Sequence, residues 1–410
     1  MFAVLMLATT ASEGMRAQWV QTGSPHNVTC FCVVDSTLFA GTQESGVCRS
    51  TDHGATWSSV STDLANDTVN ALAVNSTNGL SELLFAGTND GVFLSTNNGT
   101  SWVPASNGLG DAEVTALAIH DTNIFAGTSN GAVFLSTNKG ANWIEADSGL
   151  PRPSHVFAFM SGDTSSQTLF AGIEAGVFST SNNGKSWLLT STGLPTQPSQ
   201  IPKADALATN STTLFAGTEY GVYCSTDTGA NWSASNTGIP PFTYILSFAV
   251  IGSNVFAGSF DRGIFLSTDN GAHWKTANTG FKDSVVLSFA VIGTDIFAGS
   301  GSSGVWRRPL SQMINLSAVE PAPSLQYTLR AYPNPFTQST TINFTTPESG
   351  VVDVSVVNLL GTEVARIFSG ELSEGENTFT WNATGLPDGM YECIVRMGGQ
   401  VQRVAMISNK

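Results

Sequence analysis

The stretch Ile124-Phe125-Ala126-Gly127-Thr128, followed by Val133-Phe134-Leu135-Ser136 and then Thr137-Asn138-Lys139-Gly140-Ala141-Asn142-Trp143, specifies the architecture. Its apolar runs are four or five residues long and bounded by Gly, Asn, Asp and Thr, which suits strands and is too short for helices. The polar segment between Ser136 and Trp143 has the make-up of a tight hairpin. Asn138 can accept hydrogen bonds from turn amides, and Gly140 can take a positive φ without steric cost. Trp143 brings a large apolar face and an indole N–H that needs a carbonyl.

On either side of this stretch the pattern repeats. Phe-Ala-Gly recurs at Phe39, Phe85, Phe125, Phe170, Phe215, Phe256 and Phe297, at intervals of 46, 40, 45, 45, 41 and 41 residues. Six copies are followed by a box of the form Ser/Thr-x-Asp/Asn-x-Gly-x-x-Trp. Its acidic or amide residues are Asp52, Asn97, Asn138, Asn182, Asp227 and Asp269, and its tryptophans are Trp57, Trp102, Trp143, Trp187, Trp232 and Trp274. A period of this size is one four-stranded propeller blade. The seventh copy stops at Gly304-Val305-Trp306-Arg307, and its missing strand is supplied from the other end of the chain. There Gln18-Trp19 aligns with Asn142-Trp143, and Gly23-Ser24-Pro25 with Gly149-Leu150-Pro151. The expected architecture is all-β: a seven-bladed β-propeller closed by an N-terminal strand, which removes two exposed edges. Residues 19–310 resemble the Asp-box (BNR) repeats of sialidase-like, sortilin-like and photosystem II assembly factor-like propellers. That resemblance implies that the boxes join third and fourth strands on the face away from ligand, as structural elements only.

Composition narrows the function. Of 410 residues, 41% are hydrophobic, enough for a large core, while 11% are charged, less than half the usual share. The net charge of −15 and the lack of any Lys/Arg stripe speak against nucleic acid as a partner. Residues 1–18 begin MFAVLMLA and read as a signal peptide with a truncated basic region. No apolar run is long enough for a transmembrane span. Five cysteines cannot all pair; they are expected as small buried hydrophobes, with a Cys32–Cys48 bridge as the alternative.

Any ligand is expected at the top face, on the loops between second and third strands and between blades. The candidate residues there are Glu44, Asp90, Arg152, Glu174, Glu219, Tyr220, Tyr244, Asp261 and Arg262. His26, Asp111, Glu113, His155, Lys203, Asp205, Phe242, Lys282 and Asp283 share the same rim. A solvated polar rim without a ligand is the plain alternative. A sialidase requires three converging arginines, and only Arg152 and Arg262 fall on these loops, so the sequence speaks against that activity. No catalytic motif, metal site or cofactor site is legible. The expectation is a binding scaffold for a glycan, peptide or protein, with a glycoside hydrolase using paired rim carboxylates as the alternative.

After residue 310 the period ends. Residues 311–328 read as a linker, and residues 329–410 carry short alternating strands, expected as a small Ig-like β-sandwich. Val352, Val354, Val356 and Ile394 are its expected apolar row. Tyr332-Pro333-Asn334-Pro335-Phe336, Leu359-Leu360-Gly361-Thr362-Glu363-Val364 and Leu386-Pro387-Asp388-Gly389-Met390-Tyr391 come in order, ahead of a short basic-ended strand. This segment resembles the type A C-terminal sorting domain of type IX secretion cargo. The resemblance implies passage through the type IX machinery to the cell surface or medium. Fusing residues 329–410 behind a signal peptide and a reporter should therefore export the reporter only in a host with that machinery. Surface delivery of the full chain lacking residues 402–410 would contradict it.

Overall fold

A computed structural model describes residues 18–314 and 329–408, apart from positions 24, 35, 65, 77–81, 111, 121, 163–167, 196–202, 211, 335, 347–348, 359–362, 388 and 398–399. Most of the leader, most of the linker and Asp111 therefore lie outside the described residues, as do Pro335, Leu359 to Thr362 and Asp388 of the sorting motifs. The chain divides into two compact units, residues 1–319 and 320–410.

In the first unit the described residues form seven four-stranded antiparallel sheets. We number them as blades 1 to 7 by their inner strands: Val28–Val34, Val69–Ser76, Val114–His120, Val156–Ser161, Ala206–Thr209, Ile245–Ile251 and Val286–Ile292. Each inner strand touches the inner strands of both neighbouring blades, and the circuit closes between blade 7 and blade 1. Every Phe-Ala-Gly segment is a second strand, with Phe39, Phe85, Phe125, Phe215, Phe256 and Phe297 wholly buried and Phe170 nearly so. The fourth strand of blade 7 is Val20–Gln21, paired with Arg307 and Trp306 as the alignment of the termini anticipates.

The boxes form the expected hairpins. In each, the leading Ser or Thr hydroxyl donates to the Asp or Asn Oδ1 and accepts the amide of the box Gly, as Ser136 does for Asn138 and Gly140. Asn138 Oδ1 also accepts the amide of Asn142. Such bonds hold the Asp52 and Asp227 carboxyls down to about 2, led by the side-chain donors Thr56 and Asn231. The residue before each Gly is left-handed as well, including Lys139 at φ 58° and Thr228 at φ 57°.

What the box does for the fold is different from a staple within its own hairpin. Trp102 Nε1 donates to Val60 O, Trp143 to Ala105 O, Trp187 to Ala146 O and Trp232 to Thr190 O, at 2.6–2.7 Å. Each acceptor lies three residues beyond the tryptophan of the preceding blade, so the indole ties one blade to the one before it. Trp19 makes the same tie from blade 7 to Ala277 O of blade 6, at 2.8 Å. The box glycine completes the joint. A Cβ on Gly140 would stand 2.8 Å from Phe85 Cε1, and one on Gly99 3.0 Å from Phe39 Cε1, each phenylalanine belonging to the preceding blade. Trp57 and Trp274 bury the N–H without a partner.

In the second unit, a sheet of Arg330–Tyr332, Ser339–Thr346 and Gly375–Asn382 shares one core with a four-stranded sheet. The latter runs Glu363–Leu372, Gly350–Asn358, Gly389–Met397, Gln400–Ser408 in spatial order. Val352, Val354 and Val356 line the core as their alternation requires. The apolar row continues through Cys393, Val395 and Met397 rather than Ile394, which is buried outside that cluster. None of the five cysteines is in a disulfide, so the Cys32–Cys48 bridge does not form. Burial pushes the Cys30 and Cys393 thiols up to about 12.

Trp143→Ala should lower the unfolding free energy by about 3–5 kcal/mol. Trp19→Ala should lower it by a similar amount, because both indoles fill the same joint. Urea unfolding checks this, and an unchanged midpoint in either variant would show that joint to be idle.

Candidate functional site

The antiparallel strands give the ring two ends. One holds the boxes together with the turns from first to second strands; Asn270 of a box donates its amide to Ser253 O of such a turn. The other end holds the turns from second to third strands and the links between blades. A cavity of about 340 Å3 opens at the box end, lined by hydroxyl-rich residues including Thr168, Ser179, Ser186 and Thr212. Among the described residues, no expected ligand-binding residue borders it and its lining carries no charge. The expected ligand-binding residues lie at the opposite end.

A bulge sits near the start of the inner strand in six blades, where register shifts at Thr29, Asn70, Thr115, Phe157, Leu246 and Leu287. In blade 5 the equivalent residue is Asp205, whose amide donates to Gly217 O beside the Ala206–Gly217 pair. A bulge turns one side chain out of the pleat, so each blade offers one residue at the mouth of the ring. In blades 1 to 3 that residue is a donor to the next blade: Thr29 to Val69 O, Asn70 to Val114 O and Thr115 to Val156 O. Blade 6 makes the tie from the following position, Ser247 to Val286 O. Phe157 and an ionised Asp205 cannot donate. The inter-blade pattern breaks at blades 4, 5 and 7. Blade 7 has Leu287 at the bulge and a buried Ser288 hydroxyl with no partner among the described residues, whereas the departures to an aromatic ring and a buried carboxylate at blades 4 and 5 mark candidate functional positions.

Around these two residues, side chains of three consecutive blades converge. The Asp205 side chain is 7% exposed. Its Oδ1 accepts the Tyr244 hydroxyl at 2.7 Å and lies 3.7 Å from Lys203 Nζ, while Oδ2 is buried with no partner. Burial pushes this carboxyl up to about 6, with Glu219 adding to the rise against the pull of Tyr244 and Lys203. Burial likewise raises the Tyr244 hydroxyl. The Lys203 ammonium stands 4.6 Å from the Tyr244 ring centroid and 5.3 Å from that of Phe157. His155 stacks on Phe157 at 4.4 Å, and burial lowers its pKa although Glu113 and Glu174 oppose this. Outside lie Phe260, 6.1 Å from the Tyr244 ring and 55% exposed, and Phe242, 6.1 Å from the Tyr220 ring and 74% exposed.

Of the residues expected at a site, Glu174, Glu219, Tyr220 and Tyr244 belong to this cluster, and Asp261 and Arg262 follow Phe260 on its loop. Arg262 Nε lies 3.8 Å from Asp261 Oδ1. The others stand apart. Asp90 accepts Asn66 Nδ2 at 3.0 Å, and Arg152 is tied to Asp147 with Glu145 at 3.4 Å. Glu44 is exposed on blade 1. Phe157 and Phe260 are missed by a search for charged loop residues. Aligning the inner strands would have found Phe157, since Thr29, Asn70 and Thr115 occupy its place.

Residues 330–408 match the family model of the secretion system C-terminal sorting domain, and residues 26–241 match that of the DUF6242 beta propeller domain. The chain is an exported β-propeller protein, destined for secretion or the cell surface through the type IX machinery. It belongs to the DUF6242 β-propeller family, whose match spans more than half of its length. No curated protein matches it. Among solved structures it is similar to the extracellular domain of BT4673 from B. thetaiotaomicron, with TM-score 0.59 and 15% identity over 82% of this chain. The chain spans only 45% of that domain. An ancestral GH74 enzyme gives TM-score 0.56 at 15% identity, covering 95% of this chain and 63% of that one. YCF48 bound to D1 peptide gives 0.54 at 13% identity, covering 71% and 96%. These likenesses establish the shared propeller fold.

The raised carboxyl makes a linkage prediction. Asp205 binds its proton more tightly folded than unfolded, so its contribution lowers stability as pH rises from about 4 to about 6. Asp205→Asn should therefore stabilise the protein at pH 7 by about 2–3 kcal/mol at most, and the gain should vanish at pH 4 and below. Urea unfolding at both values measures it; an equal effect at pH 4 and pH 7 would contradict it.

Proposed function

We propose that this protein is an exported binding module whose ligand docks on the aromatic and acidic face formed by blades 4 to 6. The observation that carries this reading is the exposure of Phe242, against Tyr220, and of Phe260, against the Tyr244 that bonds the buried, half-partnered Asp205. Each phenylalanine packs on a tyrosine yet stays more than half open to solvent, and aromatic rings are what binding surfaces concentrate. Loops fixed on a closed ring keep such a surface preorganised, so little ordering is needed on binding. The leader of residues 1–18 would start export, the Asp-box repeats would hold the display platform, and the Ig-like C-terminal domain of residues 329–410 would address it.

A second reading is favoured by one observation. A carboxyl raised to about 6 suits a general acid, and Glu219 lies within electrostatic reach of it. On that reading the same face cleaves a glycosidic bond between the two carboxyl groups. Release of reducing sugar from soluble polysaccharides, lost in Asp205→Asn, would move the assignment from binding module to hydrolase.

The binding reading is tested by screening the purified chain against glycan and peptide arrays, then remeasuring the best ligand with Phe242→Ala and Phe260→Ala. Each should weaken binding by about tenfold or more, in line with the loss of an aromatic anchor, without shifting the thermal midpoint. Retention of full affinity in both variants would place the ligand elsewhere.

A further inference from the structure

The chain carries its own cation inside this cluster. Lys203 Nζ is held over the rings of Tyr244 and Phe157, with Asp205 Oδ1 at 3.7 Å. An ammonium facing two aromatic rings and a carboxylate is a cation cage, in which ring quadrupoles and the negative charge act together. One ammonium does not exhaust the site. Asp205 Oδ2 is still without a partner, Glu219 lies within electrostatic reach of both Asp205 and Tyr244, and Phe260 extends the ring wall into solvent. The net charge of −15 draws cations and repels anions over longer range.

Resting on the binding reading above, we infer that the ligand is a polypeptide segment bearing lysine or arginine. Its cationic head packs on the solvent-exposed face of Phe260, which rests against Tyr244, and lies on the side of Glu219 and Asp205. An anionic ligand meets five carboxylates there, those of Glu113, Glu174, Asp205, Glu219 and Asp261, against Lys203, Arg262 and a histidine disfavoured as a cation. A neutral glycan leaves that charge unused.

Fluorescence anisotropy of the full chain with labelled hexalysine, hexaglutamate and cellohexaose tests the inference. Hexalysine should bind and the other two should not. The double variant Glu219→Gln, Phe260→Ala should weaken hexalysine at least tenfold. Asp90→Asn removes a carboxylate from the same end but outside the cluster, and should change binding less than twofold. Thermal midpoints confirm that each variant is folded, and Glu219→Gln alone should still show a measurable loss. If Asp90→Asn weakens hexalysine as much as the double variant, the attraction is only net charge and the inference falls. Cellohexaose binding abolished by Phe260→Ala would keep the binding face and overturn the cationic class. Probes indifferent to Phe242→Ala and Phe260→Ala alike would overturn both.

Discussion

A single joint, repeated round the ring, holds the propeller together: an indole N–H reaching the carbonyl three residues past the tryptophan of the blade before it. Five such bonds are made, by Trp102, Trp143, Trp187, Trp232 and Trp19. The box glycine lets the phenylalanine of that same preceding blade come close, which a Cβ would prevent at Gly140 or Gly99. Four-stranded sheets with a two-residue outer strand have little stability alone, and burying Phe and Trp between neighbours is what makes each of them persist. A ring also needs its last joint, and Trp19 supplies it from the far end of the sequence. That is why blade 7 can lack a box.

This joint sits at the box end, which leaves the opposite end to be fastened by smaller means. Thr29, Asn70, Thr115 and Ser247 do so with hydroxyl or amide donors from or beside the bulge. Blade 7 has Leu287 at its bulge and no such donor, and blades 4 and 5 carry Phe157 and Asp205. A phenyl ring and a buried carboxylate are poor choices for fastening two strands, and the carboxylate is destabilising at neutral pH. They make sense as parts of a recognition surface, together with the lysine caged between them and the rings of Tyr244 and Phe260. On the proposed reading the chain separates its two tasks by end, with stability under the boxes and recognition at the mouth.

Much of this is legible in the residues. The Phe-Ala-Gly spacing locates every second strand, the truncated seventh repeat locates Trp19, and the Asx and Gly positions of the box describe its hairpin. The sorting domain is legible because its motifs lie in fixed order. The reach of each tryptophan into the preceding blade is not, since local spacing does not say which of two flanking carbonyls an indole meets. Alternation counted from Val352 to Val356 puts Ile394 on the wrong side, because the parity of one strand does not carry through a turn. The bulge is hidden for a similar reason: one extra residue leaves the apolar pattern almost intact while turning Asp205 and Phe157 outward. Charged loop residues draw attention to Glu44, Asp90 and Arg152, yet charge on a loop is ordinary, and the residues that converge are set by the inner strands.

If recognition has displaced fastening at blades 4 and 5, the ring is looser where the inter-blade donors are missing. Native-state amide hydrogen exchange across all seven inner strands is the decisive measurement, because exchange reports local opening strand by strand. Strands Val28–Val34, Val69–Ser76 and Val114–His120 should exchange slowest, and Val156–Ser161 with Ala206–Thr209 measurably faster. Protection in these last two strands equal to or above the first three would contradict that looseness, and with it the reason for placing recognition at blades 4 to 6.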